Sequence, residues 1–305
     1  GTHSVFLTRG FSLMCDYYSA TDMGASQKIK TTAGKEIKSL LKDENPLKDY
    51  AVPTPEFVTL KAEDGTPLYG RLLKPVGFDP TKKYPVIVYV YGGPHAQLVS
   101  NSWTGGAGMF LYYLASKGYV VFTLDNRGSA NRGLNFESAI FRNCGTVEVA
   151  DQMVGVEWLK SQPWVDQTRM GVHGWSYGGF MTISMMLKQP GVFKAAVAGG
   201  PVIDWKYYEV MYGERYMDTP ESNPDGYKNA ALTNYVDKLD GRLLIIQGYQ
   251  DNTVVPQHCL SFLEASIKAG KLVDFFMYPN HEHNVRGKDR LHLYKMIDQY
   301  FEDHL

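Results

Sequence analysis

The sequence predicts an α/β protein in which helices cover both faces of a mostly parallel β-sheet. From residue 85 onward, short apolar strands alternate with segments of helical periodicity, which is typical of parallel sheets. Val86 to Tyr91 is wholly apolar and rich in β-branched residues, as expected of a strand that is buried on both faces. A G-x-S-x-G motif at 174–178 also lies between a predicted strand and a predicted helix.

The first part of the chain has a different pattern. In residues 1–34, short apolar runs alternate with Gly, Ser and Thr, which predicts β-strands joined by turns. Two or three such strands cannot bury both of their faces, so we expect other strands beside them. Glu36 to Leu41 favours one or two helical turns, and Pro53 and Pro55 mark a connection to the main part.

The main part begins with a hairpin and continues as alternating strands and helices. The hairpin turn is Glu63 to Thr66, which contains an Asp-Gly pair between two apolar runs. Each later strand is a short, mostly apolar run, and each helix repeats apolar residues three or four positions apart. The predicted elements are strands at 57–60, 68–73, 86–91, 119–124, 170–173, 195–198, 243–246 and 273–278, and helices at 110–115, 147–159, 180–187 and 293–301.

Composition and charge exclude several classes of protein. The 305 residues are 44% hydrophobic, and 31 basic and 32 acidic residues give a net charge of −1. This balance lacks the basic excess of a nucleic-acid-binding protein and the polarity of a disordered chain. The longest clean apolar run, 86–91, is far shorter than the ~20 residues that span a bilayer, so no membrane span is predicted.

Cysteine content and the start of the chain give weaker information. Cys15, Cys144 and Cys259 are too few and too scattered for a disulfide scaffold or a zinc ribbon, but they leave one bridge possible. The chain begins Gly-Thr-His, without an initiator Met or a leader, which favours a processed protein or a piece of a longer one.

Ser176 is the predicted nucleophile. It is the central residue of the only G-x-S-x-G in the chain. A strand-to-helix turn this tight strains the serine and brings backbone close, so the flanking positions must be glycine. The serine oxygen is then raised above the carboxyl edge of the sheet, at the positive end of a helix.

A serine nucleophile needs a base that accepts its proton and a carboxylate that orients this base. The strand at 243–246 leads to Asp251, the predicted acid, whereas the neighbouring Asn252 cannot ionise. The strand that ends at 278 leads to His281 and His283, and their spacing does not decide which one is the base.

The remaining histidine patterns are less specific. A His-x-His pair at 281–283 could bind a metal, but no cluster of further ligands is visible, so neither a metal nor another cofactor is predicted. His258, His292 and His304 lie in predicted helices and are interpreted as surface or packing residues. His173 is interpreted as a core histidine.

Two hydrogen-bond donors are needed for the oxyanion that forms during attack on a carbonyl. The first is the backbone N–H of Tyr177, the residue after the nucleophile. The second is expected from the loop Tyr91 to His95, whose glycines permit close backbone approach and where Tyr91 could donate its hydroxyl.

Four segments resemble the prolyl oligopeptidase family of serine peptidases. They are G-W-S-Y-G-G at 174–179, Y-G-G-P at 91–94, D-N-R-G-S at 125–129 and the run from Pro201 to Tyr216. Within the family they look like the dipeptidyl peptidase IV branch, whose bacterial members include prolyl tripeptidyl peptidases. H-E-H-N at 281–284 looks most like the tripeptidyl members. The resemblance covers residues 50–305 and implies an α/β-hydrolase fold.

The resemblance also implies roles that the spacing leaves open. It implies Ser176 as nucleophile, Asp251 as orienting acid, and His283 rather than His281 as base. It implies the Tyr91 hydroxyl as the second oxyanion donor. The residues that it implies as a pocket for the proline of the substrate are Tyr177, Val202, Trp205, Tyr208, Tyr212 and Val254.

An aromatic stripe supports that pocket independently. Trp205, Tyr208 and Tyr212 have the spacing i, i+3, i+7, which predicts one face of a helix. Such a stripe most often packs in a core, but this one follows the strand at 195–198 and therefore lies near the catalytic edge of the sheet. Flat aromatic rings suit the rigid pyrrolidine ring, which loses little entropy on binding.

Two departures from the family pattern bear on the substrate. Where the dipeptidyl peptidase IV branch has Asp-Asp-Asn-Val, residues 251–254 are Asp-Asn-Thr-Val, so the asparagine that holds a substrate carbonyl is displaced by one position. This mildly favours a different peptide length. The family's amino-terminal β-propeller, which binds the free amine of the substrate, does not precede residue 50.

The sequence therefore predicts a remnant of the last propeller blade at 1–34, a linker at 35–55 and an α/β-hydrolase catalytic domain at 56–305. The expected activity is removal of an N-terminal di- or tripeptide from short proline-containing peptides through an acyl-enzyme. The resemblance further implies a homodimer of the full-length protein and a periplasmic or cell-surface location in a bacterium. Two alternatives stay open: an esterase or acylaminoacyl-type peptidase on the same fold, and an inactive isolated fragment.

Overall fold

The computed structural model describes residues 1–42, 45–105 and 108–305, which form two β-sheets with helices around the larger one. The strands are β1 (Thr2–Leu7), β2 (Leu13–Ala20), β3 (Met23–Thr31), β4 (Glu36–Lys42), β5 (Glu56–Lys61), β6 (Pro67–Leu73), β7 (Tyr84–Tyr89), β8 (Val120–Asp125), β9 (Val165–Trp175), β10 (Ala195–Gly199), β11 (Arg242–Gly248) and β12 (Asp274–Tyr278). The α-helices are α1 (Met109–Ser116), α2 (Leu134–Glu137), α3 (Val147–Lys160), α4 (Tyr177–Lys188), α5 (Val210–Met217), α6 (Pro224–Ala230), α7 (Gln257–Lys268) and α8 (Asp289–His304). Short 3-10 helices are Ser138–Ile140, Trp205–Tyr207 and Leu232–Lys238.

The first sheet is an antiparallel meander of β1 to β4. The strands predicted within residues 1–34 are confirmed, but the helical prediction for Glu36 to Leu41 is wrong, since this segment is β4. Helix propensity is a weak preference, and antiparallel pairing with β3 satisfies the backbone hydrogen bonds of this exposed segment instead.

This sheet extends beyond residue 34, where the first predicted segment ends. Residues 43 and 44 of the predicted linker lie outside the described residues. The division into three segments stays a prediction.

The second sheet has the order β12-β11-β10-β9-β7-β8-β6-β5. The six strands from β12 to β8 are parallel, whereas β6 and β5 are added antiparallel at one edge as the predicted hairpin. The predicted α/β class with a mostly parallel sheet is confirmed. Strand β7 ends at Tyr89, so Tyr91 lies in the following loop rather than in the strand.

Apolar layers cover both faces of this sheet, as the unbroken apolar sequence of β7 predicts. Val86 and Val88 pack in the layer that includes α3, α4 and α7, while Ile87 packs in the layer that includes α1 and α8. Full burial of one such side chain stabilises the fold by about 1.5–3 kcal/mol. The two layers hold the sheet rigid beneath the loops that leave its carboxyl edge.

Five of these loops carry the residues singled out by the sequence. They follow β7, β9, β10, β11 and β12, and the carboxyl ends of parallel strands meet at one edge of a sheet. All three cysteines have free thiols, so the possible disulfide is not formed. No helix in the described ranges has the length and apolar character needed to cross a membrane.

Candidate active site

Ser176 lies in the sharp turn between β9 and α4. Its φ of 63° and ψ of −119° place a non-glycine residue at positive φ, a conformation that persists only where the surrounding structure imposes it. A Cβ at Gly174 or at Gly178 would overlap the carbonyl oxygen of Val90, so only glycine fits at both positions. The strand, strained turn and helix predicted from the motif are therefore present.

Backbone hydrogen bonds fix this turn on both sides. The Ser176 N–H donates to the carbonyl oxygen of Gly199 over 2.8 Å, and the N–H of Phe180 donates to the Ser176 carbonyl over 3.0 Å. The Ser176 side chain is partly exposed, and its hydroxyl has no hydrogen-bond partner within the described residues. The hydroxyl is thus accessible to a bound substrate.

Asp251 follows β11 and is only 3% exposed. Its Oδ1 accepts hydrogen bonds from the backbone N–H groups of Thr253 (2.9 Å) and Val254 (2.8 Å). Its Oδ2 accepts from Gln247 Nε2 (3.1 Å) and lies 2.7 Å from His283 Nδ1. Four donors therefore fix the orientation of this carboxylate.

His283 lies in the loop between β12 and α8, with its ring against the end of β10. The Trp175 Nε1–H donates to the His283 carbonyl oxygen over 2.9 Å, and a Cβ at Gly200 would lie 3.1 Å from the Cε1 of the imidazole. Because Nδ1 donates to Asp251, the tautomer leaves Nε2 as the atom that can accept a proton.

Ser176 and His283 lie close together at the end of β10. The Ser176 N–H binds the carbonyl oxygen of Gly199, and the His283 ring packs on Gly200. The hydrogen bond between Ser176 Oγ and His283 Nε2 is not formed in this structure, and such bonds often tighten only when substrate binds.

His281, the other candidate base, is engaged elsewhere. Its Nε2 lies 2.8 Å from Oδ2 of Asp289, at the start of α8. Of the two histidines that the spacing leaves open, only His283 contacts Asp251.

Tyr177 and Tyr91 lie beside the nucleophile, as the oxyanion prediction requires. The Tyr177 N–H is in the first turn of α4, where helical N–H groups have no acceptor within the helix. The loop after β7 runs close to this turn, because a Cβ at Gly178 would lie 3.1 Å from the Cα of Tyr91. Burial raises the pKa of the Tyr91 hydroxyl. This group therefore stays protonated at neutral pH and can donate a hydrogen bond to an oxyanion.

The predicted pocket residues form an apolar, aromatic cluster next to this turn. The ring centroid of Trp205 lies 6.0 Å from that of Tyr212 in a stacked arrangement, 5.5 Å from that of Tyr208 and 5.4 Å from that of Tyr177. Val202 and Val254 are fully buried in the same core layer.

Burial also fixes the protonation of the pocket phenols. It raises the pKa of Tyr208 to about 12 and raises the pKa of Tyr212 even further. Both phenols are therefore neutral at physiological pH, and the cluster presents ring faces without charge.

The prediction that the aromatic stripe forms one face of a helix is wrong. Trp205 lies in a 3-10 helix that ends at Tyr207, Tyr208 is extended, and Tyr212 belongs to α5. The side chains of Asp204 and Glu209 each accept a backbone N–H two residues ahead, over 3.1 and 3.0 Å, and thereby start two separate helices. The rings nevertheless meet, since the ring centroids of Tyr208 and Tyr212 lie 5.1 Å apart and both rings pack on Trp205.

Three residues that hold the site in place were not predicted from the sequence. Trp175 donates to the loop of His283, Gln247 donates to Asp251, and Glu148 accepts a hydrogen bond from the Tyr177 hydroxyl. Gln247 is the second-last residue of the buried strand β11, and Glu148 lies in the first turn of α3, where acidic residues are common for local reasons. Their partners are distant in sequence, so no local pattern marks them.

His173 and His258 are both buried. His173 Nδ1 donates to the carbonyl oxygen of Val197 over 2.8 Å, in agreement with its interpretation as a core histidine. His258 Nδ1 accepts from the N–H of Ile203 over 3.0 Å and packs α7 against the loop after β10. In the part of the chain that the structure describes, no three His, Cys, Asp or Glu side chains are grouped so that they could hold a metal ion.

Comparisons with known proteins agree with the geometry. The model of the prolyl oligopeptidase family matches residues 109–305. Mouse (Mus musculus) dipeptidyl peptidase 8 is 39% identical over 252 residues, which are 81% of this chain and 28% of that protein.

Two crystal structures cover the whole of this chain. A Bacteroides ovatus protein described as a candidate dipeptidyl aminopeptidase IV is 56% identical, with a TM-score of 0.97 over 43% of its own chain. Porphyromonas gingivalis dipeptidyl peptidase 4 is 32% identical, with a TM-score of 0.95 over 44% of its chain. This chain thus spans less than half the length of each of these relatives.

The α/β-hydrolase fold implied by the motifs is confirmed, and the four antiparallel strands at 2–42 are consistent with a propeller remnant. With a family match over 109–305 and structural agreement along its full length, the chain belongs to the prolyl oligopeptidase family.

Proposed function

We propose that this chain carries the catalytic site of a serine peptidase that removes dipeptides or tripeptides from the N-terminus of peptides, with cleavage after proline. The relatives named dipeptidyl peptidase support the first of these lengths. Thr253 stands where the dipeptidyl peptidase IV branch has the asparagine that holds a substrate carbonyl. This difference favours another peptide length, so the proposal includes tripeptides.

The observation that carries this proposal is the meeting of Ser176, Asp251 and His283 at the carboxyl edge of one sheet. The strained turn exposes the hydroxyl, and the 2.7 Å contact between Asp251 and His283 sets the imidazole tautomer. A serine, an imidazole and a carboxylate in this relation are the parts needed for acyl transfer.

The proposed reaction uses these groups in sequence. His283 Nε2 takes the proton of the Ser176 hydroxyl as its oxygen attacks the substrate carbonyl, while the Tyr177 N–H and the Tyr91 hydroxyl stabilise the oxyanion. His283 then returns the proton to the leaving amine, which leaves an acyl-enzyme on Ser176. Water, deprotonated by the same imidazole, releases the peptide and restores the serine. Asp251 stabilises the imidazolium at both steps.

The aromatic cluster supports proline as the residue before the cleaved bond. Trp205, Tyr208 and Tyr212 form uncharged walls whose packing is already set, so a rigid five-membered ring can be enclosed without ordering flexible side chains. Recognition of the free amine, assembly into a homodimer, and a periplasmic or cell-surface location stay predictions from the resemblance. The absence of a cofactor stays a prediction from the residues.

The test compares anilide substrates in the full-length protein that contains this chain. We expect release of p-nitroaniline from Gly-Pro-p-nitroanilide, with kcat/KM about tenfold or more above that for Gly-Ala-p-nitroanilide. Ser176→Ala should lower kcat about a thousandfold or more. Ser184→Ala is the matched control, because Ser184 lies in the same helix with a fully buried hydroxyl and should leave the rate unchanged.

Two results would count against the proposal. An unchanged rate for folded Ser176→Ala would exclude the serine mechanism. Equal rates on proline and alanine substrates would instead favour an esterase or an acylaminoacyl-type peptidase on the same fold.

A further inference from the structure

Glu148 is a buried carboxylate directly behind the proposed proline pocket. It is the second residue of α3 and is fully buried, although nothing in its sequence context distinguishes it. Its Oε1 accepts hydrogen bonds from the Tyr177 hydroxyl over 2.6 Å and from the Gly145 N–H over 2.8 Å. Its Oε2 accepts from the Thr146 N–H over 3.1 Å.

Every one of these contacts is a donor directed at the carboxylate. The backbone N–H groups of Gly145 and Thr146 can only donate, so they favour the ionised carboxylate, whereas burial opposes ionisation and raises the pKa of Glu148. Two positive groups balance the charge: the N-terminus of α3, and Lys188, whose Nζ donates to the Gly145 carbonyl over 2.7 Å. Burial raises the pKa of the Tyr177 hydroxyl well above its usual value, which keeps it a donor.

The Tyr177 ring lines the proposed proline pocket, and the hydrogen bond from its hydroxyl to Glu148 would fix the position of this ring. Its ring is 2% exposed and packs against Phe180 and Trp205, with ring centroids 5.3 and 5.4 Å away. The edge nearest the main chain is confined by Gly93, since a Cβ there would lie 2.7 Å from the Tyr177 Cγ. Only the far end of the ring, the hydroxyl, depends on a polar partner for its position.

We propose that Glu148 is a positioning residue that sets substrate selectivity by holding the Tyr177 ring against the proline pocket. Hydrogen bonds to a charged acceptor are shorter and stronger than neutral ones, so the phenol has one preferred position. Without the carboxylate, the ring can shift and the pocket loses its fit to pyrrolidine. The inference rests on the proposed function, because it concerns the selectivity of that same site.

The test measures the ratio of kcat/KM on Gly-Pro-p-nitroanilide to that on Gly-Ala-p-nitroanilide in the full-length protein. We expect this ratio to fall about tenfold in Glu148→Met, which removes all three hydrogen bonds, and by a similar factor in Tyr177→Phe, which removes only the hydroxyl. Glu148→Gln should restore much of the ratio, since its amide oxygen can still accept from Tyr177 and Gly145. Fluorophosphonate labelling of Ser176, which does not use the proline pocket, should persist in all three.

The chain offers a matched control pair on the opposite face of the sheet. Asp298 in α8 is also buried and accepts a tyrosine hydroxyl, that of Tyr113, over 2.7 Å. Asp298→Asn and Tyr113→Phe alter a hydrogen bond of the same kind, away from the pocket, and should leave the proline-to-alanine ratio unchanged.

The possible results distinguish a failure of the role proposed for Glu148 from a failure of the proposed peptidase function. If the wild type is proline-selective but Tyr177→Phe and Glu148→Met keep its ratio, the inference alone is overturned. If Glu148→Met loses fluorophosphonate labelling because it misfolds, the near-isosteric Tyr177→Phe decides. If the wild type hydrolyses neither these dipeptide anilides nor the tripeptide anilide Ala-Ala-Pro-p-nitroanilide, the proposed function fails and the inference is overturned with it.

Discussion

Gly178 lies where α4 passes the loop after β7, and its missing side chain permits this approach. A Cβ there would overlap the carbonyl oxygen of Val90, which belongs to the main chain and cannot rotate away. Gly178→Ala should therefore lower the free energy of unfolding by about 1–3 kcal/mol and displace the Tyr91 loop. Denaturant titration checks this, with Gly10→Ala as control because a Cβ at Gly10 meets nothing within 4 Å. Equal stability of the two variants would contradict the packing described here.

Two buried histidines predict how stability depends on pH. Burial lowers the pKa of both His173 and His258 to about 4, whereas an unfolded histidine titrates near 6.5. Between these values the unfolded chain binds protons that the folded chain does not. The free energy of unfolding should then fall as the pH decreases from about 6.5 to about 4, by up to about 1.4 kcal/mol per pH unit for each histidine.

The variant His258→Gln tests the contribution of one site. Its plot of unfolding free energy against pH should have a shallower slope in this window than that of the wild type. His95→Gln, at an exposed position, serves as the control. An unchanged slope in His258→Gln would mean that the buried imidazole does not resist protonation.

Single residues also mark the limit of what the sequence could predict about the site. Ser176 and Asp251 follow from a motif and from strand ends, but the choice between His281 and His283 needed a resemblance or a structure. The structural reason is that Asp289, eight residues downstream, binds His281. Glu148 was missed because its contact with Tyr177 joins two helices that are separate in sequence.

At the scale of elements, strands of the large sheet were more predictable than the segments around the pocket. Strands such as β7, β8 and β11 are buried by layers on both faces, and this burial leaves an unbroken apolar run in the sequence. The segment around Trp205 has helical spacing, yet the side chains of Asp204 and Glu209 each cap the start of a separate short helix. Local caps decide such short elements, and periodicity alone cannot detect them.

Strand β4 illustrates the opposite error. Residues 36–42 carry apolar side chains at helical spacing, but all of them are exposed. The hydrogen bonds of β3 determine the conformation, and those bonds are not encoded in the periodicity of β4 itself.

At the scale of the whole molecule, Asn101 joins the two sheets. Its carbonyl oxygen accepts from the Thr2 hydroxyl over 3.0 Å, and its Oδ1 accepts from the Thr21 N–H over 3.1 Å. The nearby Trp103 N–H donates to the Ser19 hydroxyl over 3.3 Å. A short polar contact region, rather than a continuous apolar core, thus attaches the first sheet.

Asn101→Ala should loosen this attachment. Loss of one hydrogen bond, worth about 1 kcal/mol, should speed hydrogen exchange of the Thr21 amide about fivefold. Asn229→Ala, at an exposed position, should leave this exchange rate unchanged. Equal exchange in the two variants would indicate that other contacts attach the first sheet.

Large apolar side chains on the first sheet further distinguish it from the second. Val5, Phe6, Leu7 and Phe11 are between 46% and 68% exposed. Exposed apolar residues in such a group are expected to be covered by further structure. They are consistent with the blade remnant that the sequence predicts at 1–34.

Covalent labelling is a direct test of whether Ser176 is a nucleophile that His283 and Asp251 activate. The folded protein is treated with a fluorophosphonate and its peptides are mapped by mass spectrometry. We expect one phosphonate adduct, on Ser176, that is absent in Ser176→Ala and forms much more slowly in Asp251→Asn. A folded protein that stays unlabelled, or that carries the adduct on a different residue, would contradict it.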